Sequence, residues 1–169
     1  MRSMPSLRKV AFPGTALLLA LVLAVSQVAR SQAPIGVYAK TTAVANPSVL
    51  KAGGHGAVLV TVTIAPGFHI NSVKPADPNL IPTKLAMSKL PGFSFGQVSY
   101  PPNKTVKESY SPKPMLVYTG KTVIRVPVTA TSAKPGHYTL TGSLSFQGCN
   151  HSACFPPMTS QIRAAVTVK

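Results

Sequence analysis

Cys149 and Cys154 are the only two cysteines of this 169-residue chain. They stand with four residues between them, in Phe146-Gln147-Gly148-Cys149-Asn150-His151-Ser152-Ala153-Cys154-Phe155-Pro156-Pro157. Two thiols so placed have three chemical outlets: a structural bridge, a metal site, or a reversible disulfide that trades electrons with other thiols. A bridge needs Cα atoms within about 7 Å, which a tight turn supplies. It would close a short loop, so its entropic gain sits at the low end of about 2–4 kcal/mol. A metal would take Cys149, His151 and Cys154, with one of His55, His69 or His137 as the fourth ligand. Thiolate and imidazole suit zinc or cuprous copper, although the spacing differs from the common Cys-x2-Cys pair. Exchange needs a tuned and accessible thiolate, and His151 between the thiols is placed to lower a thiol pKa. The residues alone leave all three open.

The compartment narrows the choice. Arg2, Arg8 and Lys9 precede an apolar run from Ala16 to Val25, and Ser31-Gln32-Ala33 offers small residues at a cleavage site. This is the three-part pattern of a secretory signal peptide. The run of ten residues is about half of the roughly 20 that a spanning helix needs. The alternative is an uncleaved N-terminal anchor. No cysteine follows the run closely, so a lipid anchor is not indicated, and no later segment is apolar enough to insert stably in a membrane. Residues 1–33 are therefore expected to be a cleaved signal peptide and residues 34–169 a single exported domain.

The chain carries 17 Lys and Arg against two acids, and residues 1–33 hold four of those cations. Thirteen remain against Asp77 and Glu108, a net charge of +11. Such a balance favours acidic partners, anionic lipid or nucleic acid. The lysines are scattered, with no run, helical stripe or recognition motif, so a nucleic-acid partner is not expected. A solvated surface that steers acidic protein partners fits better.

The elements that must position the cysteines read as strands. Seventeen prolines and twelve glycines argue against long helices. Alternation and β-branched residues mark Val37–Val44, Ala57–Ile64, Thr83–Met87, Phe93–Tyr100, Thr122–Thr129, Tyr138–Phe146 and Ile162–Val168, with a short strand at His69-Ile70 after the Pro66-Gly67 turn. In Tyr138–Phe146, Tyr138, Leu140, Leu144 and Phe146 face one way, and Thr139, Thr141, Ser143 and Ser145 the other. That strand runs straight into Cys149. About seven short strands separated by turn signals predict an all-β fold, an immunoglobulin-like antiparallel β-sandwich of two sheets. The inter-sheet disulfide and the tryptophan of antibody domains are absent. Pro101–Pro114 is polar and Pro-rich, and is expected to form a long loop without strands.

Three segments carry a family resemblance. Gln147-Gly148-Cys149 through Cys154-Phe155-Pro156-Pro157 resembles the active-site segment of the N-terminal periplasmic domain of DsbD, the thiol:disulfide interchange protein. Pro66-Gly67-Phe68-His69-Ile70-Asn71-Ser72, with Leu80-Ile81-Pro82-Thr83, is similar to the early core of that family. Val117-Tyr118 through Val126-Pro127-Val128 resembles the strand after its active-site loop. The resemblance spans roughly Val37 to Lys169. It implies an immunoglobulin-like sandwich with a redox-active pair on a hairpin, which passes electrons to thioredoxin-like periplasmic proteins and needs no cofactor. On this chain it implies that Cys149 and Cys154 are the pair, with Cys154 attacking the partner disulfide and Cys149 resolving the mixed disulfide. His69 and Asn71 would line the site and tune its pKa values, though an ordinary, fully paired sheet histidine is the alternative for His69. The family shields its cysteines with an aromatic-bearing cap loop. Pro101–Pro114 falls in that place with Tyr110 the nearest aromatic, against the alternative of an exposed loop tyrosine. Family members continue into a membrane domain and a thioredoxin-like domain, so a chain ending at Lys169 is expected to use a separate membrane electron donor. Asn103-Lys104-Thr105 and Asn150-His151-Ser152 match the glycosylation sequon, which a bacterial chain leaves unused.

Overall fold

The computed structural model describes residues 38–169. The expected signal peptide, and Val37 at the start of the first expected strand, lie outside the described residues. These residues form twelve strands: β1 (Ala39–Asn46), β2 (Val49–Leu50), β3 (His55–Ile64), β4 (Phe68–Asn71), β5 (Lys84–Met87), β6 (Ser94–Phe95), β7 (Lys104–Val106), β8 (Met115–Tyr118), β9 (Lys121–Thr129), β10 (Gly136–Phe146), β11 (Gly148–Asn150) and β12 (Met158–Val168), counted among the described residues. Among the described residues there is no helix, and none therefore long and apolar enough to cross a membrane. The fold is all-β and immunoglobulin-like.

The strands form three four-stranded sheets, in the orders β1-β3-β9-β6, β2-β12-β10-β5 and β11-β4-β8-β7. Only β2 with β12 is parallel. The first two sheets make the sandwich. Val58, Val60 and Val62 of β3 and Ile124, Val126 and Val128 of β9 point inward on a period of two, to meet Leu140, Leu144 and Phe146 of β10 and Ile162, Ala164 and Val166 of β12. The alternation expected across Tyr138–Phe146 holds, with Leu140, Gly142, Leu144 and Phe146 buried. Gly142 is small because Ala86 and Met87 of the adjoining β5 crowd the space where a Cβ would stand.

The third sheet departs from the expected two, and it carries the cysteines. Phe93–Tyr100 forms only β6 and an isolated bridge at Ser99, because Gly96 lies tight against Pro127 and Pro101 ends the pairing. Pro101–Pro114 is not strandless. Lys104-Thr105-Val106 forms β7 on the edge of the third sheet, where a lysine and flanking prolines keep a further strand from adding. The stretch from Val117 to Val128 is likewise not one strand. Gly120, with φ 60°, turns the chain between β8 and β9, which belong to different sheets.

Candidate functional site

The hairpin begins where β10 ends. Phe146 is fully buried in the sandwich, Gln147 crosses out, and β11 pairs antiparallel with β4 so that Cys149 stands opposite His69. The Asn150 side chain then forms the turn. Its Oδ1 accepts the N–H of Ser152 at 2.8 Å and of Ala153 at 2.9 Å. Asn150 N–H donates to the Ala153 carbonyl at 2.9 Å, and Phe155 N–H to the Gly148 carbonyl at 2.8 Å. This closed turn sets the cysteines opposite one another, with Cα atoms 3.9 Å apart and joined in a disulfide. Cys149 is 0% exposed, whereas Cys154 is half-buried. The two sulfurs differ in access by construction.

Two sets of contacts hold the hairpin in place. The first is polar and centred on Gln147. Its Oε1 accepts from Asn71 Nδ2 at 3.0 Å and from Ile81 N–H at 3.1 Å, while its Nε2 donates to the Phe155 carbonyl at 3.1 Å. One side chain thus ties β4, the Ile81 segment and the residue after Cys154. Asn71 also donates to the Ile81 carbonyl at 3.1 Å, so it braces the hairpin through Gln147. The second set is aromatic. Phe155 stacks on Tyr38 at 5.4 Å, Tyr38 stacks on Phe68 at 5.8 Å, and Phe146 meets Tyr38 edge-on at 6.4 Å. Gly148 lies directly against Tyr38, and any Cβ there would run into the ring.

The face of the third sheet that bears Cys149 also bears His69, Asn71 and Val117, while Ile70 and Tyr118 point back into the sandwich. Cys149, Met115 and Val117 form a small apolar cluster with Leu80, Val106 and Cys154 around it. The β7–β8 connection closes over the top. Tyr110 Oη lies 3.6 Å from Cys154 Sγ, and since a disulfide sulfur has no proton the hydroxyl donates. Burial, with Glu108 beside it, pushes the Tyr110 hydroxyl above its ordinary value, so it keeps that proton. Ser109 Oγ donates to the His151 carbonyl at 3.3 Å, tying the same loop to the hairpin turn. Replacing Tyr110 by alanine should speed reduction of the disulfide by dithiothreitol several-fold, whereas Tyr110→Phe keeps the ring and should stay close to the native rate. Stopped-flow reduction kinetics read the difference; equal rates in all three proteins would mean that the ring does not limit access.

His69 is 4% exposed. Its Nδ1 faces Glu108 Oε1 at 3.7 Å, and its buried Nε2 has no hydrogen-bond partner among the described residues. It is therefore not a fully paired sheet histidine. Burial lowers its pKa and Glu108 partly restores it. His69, Glu108 and the exposed His151 line an open cleft of about 450 Å³ together with Pro66-Gly67-Phe68, Thr119 and Gly120. His55 bonds Thr129 and His137 bonds Thr167, both on strands of the sandwich. Among the described residues no three His, Cys, Asp or Glu side chains converge as metal ligands. Glu108 and Gln147 were not singled out from sequence. Glu108 was visible as one of two acids beyond residue 33, but nothing local says that it reaches β4.

Residues 37–165 match the family model described as "Thiol:disulfide interchange protein DsbD, N-terminal". Among solved structures, the N-terminal periplasmic domain of ScsB from Proteus mirabilis superposes with a TM-score of 0.55 at 14% identity, over 79% of this chain and 48% of that one. This chain thus spans about half the length of that structure. The DsbD N-terminal domain of Neisseria meningitidis in the reduced form gives a TM-score of 0.49 at 20% identity, over 77% of this chain and 86% of that one. No curated protein matches the sequence. A family match over most of the chain, centred on a domain whose cysteine pair closes into a disulfide on a clamped hairpin, places this protein in the family of N-terminal domains of the thiol:disulfide interchange protein DsbD.

Proposed function

We propose that this chain is an exported thiol–disulfide exchange domain that passes electrons to thioredoxin-like partners in the periplasm through Cys149 and Cys154, with a separate membrane protein as its electron source. The supporting observation is the asymmetry of the pair: one sulfur is sealed, and the other is half-buried beneath a single removable tyrosine. In the dithiol form the Cys154 thiolate attacks a partner disulfide. A Cys154–partner mixed disulfide forms and one partner sulfur leaves as thiolate. Cys149 then attacks Cys154 Sγ, the internal disulfide closes, and the second partner sulfur leaves, so the partner gains two electrons and this chain loses them. Cleavage after Ala33, with residues 34–169 as the exported domain, belongs to the same reading. Tyr110 acts in it as the cap, and His69, Asn71 and His151 as the polar surroundings of the sulfurs.

A redox titration tests it. A carrier should equilibrate reversibly with glutathione or dithiothreitol buffers at a potential of roughly −180 to −270 mV, whereas a structural bridge lies below about −300 mV. A potential below that limit, or zinc or copper bound stoichiometrically by the reduced protein, would assign the pair to a structural or metal role instead.

A further inference from the structure

Cys149 has a problem of its own, given the exchange reaction proposed above. It is fully buried among Met115, Val117 and Leu80, and an apolar surrounding raises a thiol pKa by disfavouring the thiolate. Yet Cys149 must become a thiolate to resolve the mixed disulfide, and at 0% exposure it is sealed from the bulk solvent that would otherwise take the proton. The residue directly across the ladder is His69. Directly opposed residues of an antiparallel pair project to the same face with Cβ atoms about 4.5–5.5 Å apart. The buried Nε2 of His69 is left without a partner among the described residues, while Nδ1 is turned to Glu108. An orphaned buried nitrogen is costly to keep. It is what a proton acceptor would show in the disulfide state, when Cys149 has no proton to share. The titratable groups sharing the cleft with His69 are Glu108 from the loop above and His151 from the hairpin turn, and Tyr110 stands beside Glu108. Of these, Glu108 is the one paired to the ring.

We propose that His69 is the proton acceptor for Cys149 and that Glu108 is its positioning residue, making a Cys149–His69–Glu108 relay dedicated to the resolving step. In that step the Cys149 S–H gives its proton to His69 Nε2, and the resulting imidazolium is stabilised by the Glu108 carboxylate at Nδ1. The Cys149 thiolate attacks Cys154 Sγ, and the partner sulfur leaves as thiolate and takes the proton from His69 directly or through solvent. No other reactant is needed. The relay serves Cys149 rather than the exposed Cys154, which reaches solvent and loses its proton there.

The relay rests on the exchange reaction, and one experiment separates the two. Reduced full-length protein is mixed with 5,5′-dithiobis(2-nitrobenzoate) in stopped flow. The first burst of thionitrobenzoate reports attack by Cys154, and the second reports resolution by Cys149. His69→Gln should slow the second phase by at least about threefold for each unit by which the Cys149 pKa rises, since thiolate loss outweighs the gain in nucleophilicity. The first phase should keep its rate. In the native protein the second phase should stay fast to below about pH 6.5, the ordinary histidine value, and this plateau should vanish in the variant. Glu108→Gln lies outside the strands and should reproduce a weaker form of the defect, with Glu108→Asp restoring part of the rate. A normal second phase with an unchanged pH profile in both His69→Gln and Glu108→Gln would overturn the relay and leave the exchange reaction standing. Absence of a first phase in the native protein would instead overturn the exchange reaction.

Discussion

In the proposed exchange reaction, Cys149→Ala should turn a carrier into a trap. The reduced variant keeps the half-buried Cys154, whose thiolate can still attack a disulfide offered by a thioredoxin-like protein. Release of that partner depends on a second sulfur already in position. In the native protein Cys149 sits across the hairpin, held by the Asn150 turn and the Gln147 clamp. A thiol oriented in this way acts at an effective concentration that no solvent thiol approaches. With alanine in its place the mixed disulfide should persist and turnover should fall to the background of external thiols. A dithiothreitol-sensitive adduct of the summed mass, on a non-reducing gel and by intact-mass spectrometry, is the expected result. Cys154→Ala should give almost no adduct, because Cys149 is fully buried in the small apolar cluster. Equal trapping by both variants would mean that the burial difference does not order the two attacks.

The sandwich was legible because its strands obey a period of two that only burial on one face explains. β3, β9, β10 and β12 each end on the expected residue and begin one to four residues before the expected start, and their inward residues are largely the valines, leucines and isoleucines of the pattern. The third sheet was not legible. β7, β8 and β11 have three or four residues each, too few for a period to show, and β7 hides between prolines. Their pairing is decided by contacts across the fold: β11 with β4, some eighty residues apart, and the Gln147 clamp reaching Asn71. The same limit governs the site. The spacing of Cys149 and Cys154 is plain in the sequence, and the family resemblance points to His69. No local pattern brings Glu108 to His69 or divides the cysteines into one sealed and one half-exposed. Tertiary placement also disperses the metal set, because His55 and His137 lie at the starts of β3 and β10, the ends opposite those that lead into β4 and β11, and each is bonded to a threonine there.

Phe146→Ala should cost the domain more stability than any other single truncation near the site. Phe146 is the last residue of β10 and is 0% exposed, in the main core beneath the hairpin and edge-on to Tyr38. Truncating a buried phenylalanine removes its transfer energy and leaves a cavity that the two sheets cannot fully close, about 3–5 kcal/mol together. Against a total stability of about 5–15 kcal/mol this is a large fraction, and the melting temperature should fall by on the order of 10 °C. Phe155→Ala, at the half-buried rim of the same aromatic cluster, should cost less. The two losses differ in what they do to the redox couple. The Phe146 cavity lies behind Gly148, on the side of the third sheet away from the sulfurs, so it weakens the oxidised and reduced forms alike. The potential should then stay within about 30 mV of native, which corresponds to about 1.4 kcal/mol for a two-electron couple. Parallel thermal melts of both redox forms, with glutathione equilibration, measure the two quantities. A large fall in stability with an unmoved potential would place the sandwich core as a passive support for the hairpin. A shift well beyond 30 mV would instead show that the packing around Phe146 changes when the disulfide opens.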